Sequence, residues 1–72
     1  MSITAVNTRN QLRGTVIHIR RGSVVSEVEI ETSSGIISAV VSTSSVDRLP
    51  LREGDTALAL IKATDVLVAR LD

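Results

Sequence analysis

The most regular stretch of the chain is Val24 to Thr32, where apolar and acidic positions alternate with a period of two. Val24, Ser26, Val28 and Ile30 fall on one side and Glu27, Glu29 and Glu31 on the other, the pattern of a strand with one packed and one wet face. Leu12 to Arg20 predicts a second kind of strand. Leu12, Val16 and His18 share one face, while Arg13, Thr15, Ile17 and Ile19 share the other. Apolar residues on both sides suit a strand that is covered twice. Arg21-Gly22-Ser23 turns the chain between the two. Ahead of them, Ile3 to Val6 is apolar and extended in character, and the polar run Asn7-Thr8-Arg9-Asn10 interrupts it.

Ser33-Ser34-Gly35 marks the next turn, and Ile36 to Ser42 a third strand. Ser44-Ser45-Val46-Asp47 then fits a capping box, with a hydroxyl at Ser44 and an acid three positions on. Pro50 discourages helix continuation, so a single helical turn is predicted near Ser45 to Arg48. Arg52-Glu53-Gly54-Asp55 reads as a turn, Thr56 to Lys62 as a fourth strand and Val66 to Arg70 as a fifth. The expected fold is all-β: a five-stranded OB-type barrel with one short helical turn between strands 3 and 4. No linker, repeat or low-complexity tract divides residues 1–72, which are read as a single domain.

Composition sharpens this. Of 72 residues, 24 are Val, Ile or Thr, a β-branched load that favours strands. A chain this short buries only about 60% of its unfolded surface and is marginal as a monomer. Cysteine is absent and the one histidine, His18, has no ligand cluster beside it, so neither disulfides nor a metal cation site supplies the missing stability. Partner subunits are the remaining source. The longest apolar run, Ala57 to Ile61, is far too short to span a membrane, and no apolar signal core precedes Arg9. An intracellular chain with no membrane partner is expected.

Three polar segments are candidates for chemistry: Asn7-Thr8-Arg9-Asn10-Gln11, Ser42-Thr43-Ser44-Ser45 and Lys62-Ala63-Thr64-Asp65. Each has a structural explanation, namely a solvated loop, a helix cap and an edge charge respectively. Taken together they share one character, being rich in hydrogen-bond donors. Charge-assisted donors suit a small oxyanion, and a buried dianion needs many convergent groups. Two chains meeting at an interface can enclose such an ion; one chain of this length can hardly do so.

The three segments also carry a resemblance. Asn7 to Val16, Leu49-Pro50-Leu51-Arg52-Glu53-Gly54-Asp55 and Leu60-Ile61-Lys62-Ala63-Thr64-Asp65-Val66 resemble, in order and spacing, three motifs of the molbindin, or Mop, family. The departure is Asn7, where the family usually has Ser. The resemblance implies a cytoplasmic protein that binds molybdate, and often tungstate, between subunits of a homo-hexamer arranged as a trimer of dimers, for storage or homeostasis. It implies charge from Arg9 and Lys62, hydroxyls from Ser42 and Ser45, an amide from Asn7, and N–H donors from the backbone around Thr8 and Ala63. It also implies a second class of site on a symmetry axis, whose residues it does not place.

Two other functional classes compete with this one. An enzyme is not expected, because the chain has no His-nucleophile pair or phosphate loop, and the three glutamates alternate on a solvated strand face. An OB-fold nucleic-acid-binding module is the alternative. Arg9, Arg13, Arg20 and Arg21 precede any acid, but there is no aromatic ring for base stacking and the net charge is zero.

Overall fold

Strands form where the alternation is. β1 (Asn10–Arg21), β2 (Val25–Thr32), β3 (Gly35–Ser42) and β4 (Thr56–Ile61) hydrogen-bond in the order β3-β2-β1-β4, each neighbouring pair antiparallel. The structure is a computed structural model and describes residues 6–72. The expectation for Ile3 to Val6 therefore falls mostly outside the described residues; Val6 itself lies outside any strand.

β2 follows its pattern from Val25 onward; Val24, expected on the packed face, precedes the strand and is 74% exposed. Ser26, Val28 and Ile30 are buried, and Glu27, Glu29 and Glu31 take the opposite face. β1 departs from its pattern at one point. The register with β2 slips between Val16 and His18, so that Val16 faces Ile30 and His18 faces Glu29. Ile17 is the extra residue of a β-bulge, which reverses the alternation beyond it. Leu12 and Val16 still face the core, but Ile19 rather than His18 continues that face. Gly14 lies on β1 where β2 crosses closest: a Cβ there would run into the Glu31 carbonyl and the Ile30 side chain.

The fold is not a closed five-stranded barrel. The four strands make an open half-barrel in which β3 and β4 are edges that do not meet. The fifth strand expected over Val66 to Arg70 does not form. A 3-10 turn at Ala63–Asp65 follows β4, and beyond it the chain leaves the sheet, with Leu67 95% and Val68 93% exposed. Alternation marks a segment able to pair, and this one finds no partner in its own chain.

The helical segment differs too. α1 spans Thr43–Arg48, six residues rather than one turn, and its cap is Ser42, not Ser44: the Ser42 hydroxyl accepts from the Ser45 amide at 3.1 Å. The polar-to-apolar spacing explains the choice. A cap at Ser42 turns Val46 onto the core, where it is 1% exposed among Val16, Val28, Ile30 and Ala59. Burying that side chain contributes about 1.5–3 kcal/mol, comparable to or larger than what either cap supplies. The helix also buries Thr43, whose hydroxyl donates to the Gly22 carbonyl at 2.8 Å and meets the Ser26 hydroxyl at 2.7 Å. The following turn is as expected. Gly54 takes a positive φ of 93°, and the Val16 amide and carbonyl bond to Asp55 and Gly54, which docks the entry of β4 onto the middle of β1.

A candidate oxyanion site at one end of the sheet

Antiparallel pairing of β1 with β4 sets Asn10 opposite Ile61. The residues just before β1 and just after β4 must therefore emerge side by side. They form an open cleft of about 470 Å³ lined by Asn7, Thr8, Arg9, Asn10, Lys62, Ala63 and Thr64. Two of the three polar segments meet here, although they are more than fifty positions apart in sequence.

Local bonds fix the two walls. The Gln11 side chain donates to the Thr8 carbonyl, and the Asn10 amide donates to the Ile61 carbonyl at 3.1 Å. On the other wall the Asp65 amide donates to the Lys62 carbonyl at 2.9 Å, closing the 3-10 turn. The first amides of such a turn, at Ala63 and Thr64, are not used by the turn itself. Arg9 and Lys62 are exposed, and neither forms an ion pair among the described residues. Other arginines are already matched: Arg20 with Glu27 at 3.0 Å and Arg21 with Asp47 at 2.9 Å. Two of the four arginines that favoured a nucleic-acid reading are thus neutralised, while the charge at the cleft is not.

Ser42 and Ser45 do not line this cleft. Ser42 pairs with Val25, and Ser26 beside it pairs with Arg21, so the serines sit at the far end of β1. The length of that strand separates the groups by roughly 30 Å. There the serines bond to one another: Ser42 Oγ lies 2.7 Å from Ser45 Oγ and 3.1 Å from Ser44 Oγ. The structure therefore brings together Asn7, Thr8, Arg9, Lys62 and Ala63, and leaves Ser42 and Ser45 as a second cluster. Asn10 and Thr64 also line the cleft; they were not singled out as ligands, although they are the sequence neighbours of Arg9 and Ala63.

Comparison with known proteins identifies the family. A family model described as the TOBE domain matches residues 7–68. A probable molybdenum-pterin-binding protein of Haemophilus influenzae is 44% identical over 64 residues, 88% of this chain and 93% of that one. The chain belongs to the TOBE-domain family and, within it, to the molbindins. The molbindin fold is shared closely with solved structures. A molybdate-binding protein from Sporomusa ovata superposes with a TM-score of 0.87 at 31% identity, covering 93% of this chain and all of that one. The cytoplasmic molybdate-binding protein ModG, solved with molybdate bound, superposes with a TM-score of 0.76 at 38% identity, covering 82% of this molbindin. This molbindin spans 43% of the ModG chain.

Proposed function

We propose that this molbindin binds molybdate, and tungstate in the same way, at a site completed by a second copy of the chain. The carrying observation is the cleft at the β1–β4 end, where two cations with no acidic partner among the described residues stand beside a polar turn. In this reading Arg9 and Lys62 provide charge, and the backbone at Thr8 and Ala63 provides N–H donors, with the Asn7 amide beside them. Ser42 and Ser45 reach the anion from another subunit, because their own chain holds them a strand length away. The relatives named for molybdate or molybdenum binding support the ligand.

A donor-rich site also sets selectivity. Molybdate and tungstate are fully deprotonated at neutral pH, and every oxygen accepts. Phosphate retains a proton and needs an acceptor opposite it. Among the described residues the nearest acid in sequence, Asp65, forms no ion pair with Arg9 or Lys62. We further assign the assembly as a homo-hexamer, a trimer of dimers, serving oxyanion storage or homeostasis in the cytoplasm. The large exposed apolar side chains of β3, β4 and the C-terminal tail support self-association, and the ModG relative is named as cytoplasmic. No helix among the described residues is long and apolar enough to cross a membrane. Calorimetric titration with molybdate, with phosphate as competitor, tests the ligand: saturable heat that phosphate fails to displace is the expected result. Absence of heat, or displacement by equimolar phosphate, contradicts the proposal.

A further inference from the structure

Within the polar run Asn7 to Gln11, Gln11 alone does not line the cleft, yet its side chain is committed to the cleft wall. Gln11 stands on β1 opposite Leu60 of β4, so its backbone is held in the sheet. Its side chain is exposed, and the core does not require it. The side-chain amide donates to the Thr8 carbonyl. Only the NH2 group of a glutamine can meet a carbonyl in this way.

The wall it holds has little else to orient it. Residues 6–9 lie outside any strand, and among the described residues no backbone-to-backbone hydrogen bond involves them. The bond from Gln11 is the one described for any of their peptide groups. No cis peptide bond occurs among the described residues, and a trans peptide is planar, with its C=O and N–H pointing in opposite directions. Drawing the Thr8 carbonyl toward Gln11, which is not part of the cleft lining, therefore turns the Arg9 N–H of the same peptide the other way. Without Gln11 the peptide is free to rotate about its two flanking torsions and present the carbonyl instead. To an anion the two orientations differ in sign: the N–H attracts and the carbonyl oxygen repels.

We propose that Gln11 is a positioning residue that fixes the polarity of the Thr8–Arg9 peptide, keeping its N–H and not its carbonyl turned to the anion. The assignment rests on the oxyanion reading and adds selectivity to it. A fully deprotonated oxyanion is satisfied by donors alone, whereas hydrogen phosphate carries an O–H that needs an acceptor. The Thr8 carbonyl, turned inward, is such an acceptor. Gln11 withholds it by engaging it from behind the wall. Because the tie exists before the ligand arrives, the anion does not have to order this peptide on binding.

The test compares wild type, Gln11→Ala and Gln11→Lys by calorimetric titration with molybdate, with inorganic phosphate as competitor, in mildly alkaline buffer of fixed ionic strength. Gln11→Ala should raise the molybdate Kd roughly tenfold, the contribution of about one hydrogen bond. The ratio of phosphate to molybdate Kd should fall by at least that factor. Its melting temperature should match wild type, because the side chain is exposed. Gln11→Lys keeps a donor and should restore the ratio, since its added charge attracts both anions alike. A ratio unchanged in Gln11→Ala, or not restored in Gln11→Lys, overturns the assignment while leaving molybdate binding by the wild type intact. Peptide polarity is read without ligand from the nuclear Overhauser contact between the Thr8 Hα and the Arg9 amide proton. Its intensity should differ between wild type and Gln11→Ala, and equal intensities overturn the assignment. Wild type that binds no molybdate overturns the oxyanion reading itself, and the selectivity role falls with it.

Discussion

The two ends of the β-sheet both carry clusters of polar side chains, yet they stand in opposite states. At the β1–β4 end Arg9 and Lys62 are exposed and make no ion pair among the described residues. At the other end the hydroxyls of Ser26, Ser42, Thr43, Ser44 and Ser45 are engaged. Ser42 caps α1 and bonds Ser45, and Thr43 bridges the buried Ser26 hydroxyl to the Gly22 carbonyl. The first cluster contributes little to holding the chain together and is free to spend its charge on a ligand. The second holds α1 in place and can offer a ligand only what its internal bonds leave over. A site built from both ends would draw most of its affinity from the first and much of its rigidity from the second.

Substitutions can separate these roles. Replacing Arg9 or Lys62 with Ala should weaken molybdate binding by about 2–4 kcal/mol, roughly a thirtyfold to thousandfold rise in Kd. Thermal stability should stay unchanged, since both side chains are exposed; calorimetric titration and a melting curve on the same samples check both halves. Thr43→Val should do the reverse. It leaves the buried Ser26 hydroxyl without its partner and takes a donor from the Gly22 carbonyl, at a cost of about 1–3 kcal/mol in unfolding free energy, with affinity preserved. Denaturant titration reads the loss. Ser42 stands between these cases. Ser42→Ala removes the cap of α1 and should cost about 0.5–2 kcal/mol of stability as well as some affinity. Ser45→Ala leaves the Ser42 cap intact and should lower affinity more than stability. Equal effects of the two serine variants on melting would mean that the cap contributes nothing.

Much of this was readable from residue pattern, and the exceptions have physical causes. The glutamate alternation located β2, and glycine-centred turns located the starts of β3 and β4. The bulge at Ile17 was not legible, because Val16 and Ile19 have the same character whether the alternation is continuous or slipped. The cap was misassigned to Ser44 because four hydroxyl residues in a row offer several starts, and only the burial of Val46 selects among them. The tail was read as a fifth strand because alternation reports the capacity to pair and is silent on which chain supplies the partner. For the candidate site, donor chemistry and the family resemblance nominated the residues, but only the β1–β4 register showed that Arg9 and Lys62 share a cleft. The separation of Ser42 and Ser45 from that cleft was equally invisible until the sheet order was known.

The central claim is that one oxyanion site takes its cations from one copy and its serines from another. Subunit complementation tests it most directly. A variant carrying Arg9→Ala with Lys62→Ala and a variant carrying Ser42→Ala with Ser45→Ala are each titrated with molybdate, then unfolded together, refolded and titrated again. Each alone should bind weakly. In a mixed dimer one of the two interfaces regains a complete set, so random mixing should restore about a quarter of the sites to wild-type affinity. Recovery of that fraction in the mixture is the predicted result. A mixture that binds no better than its two components, although it is shown to co-assemble, would contradict the account and confine the site to a single chain.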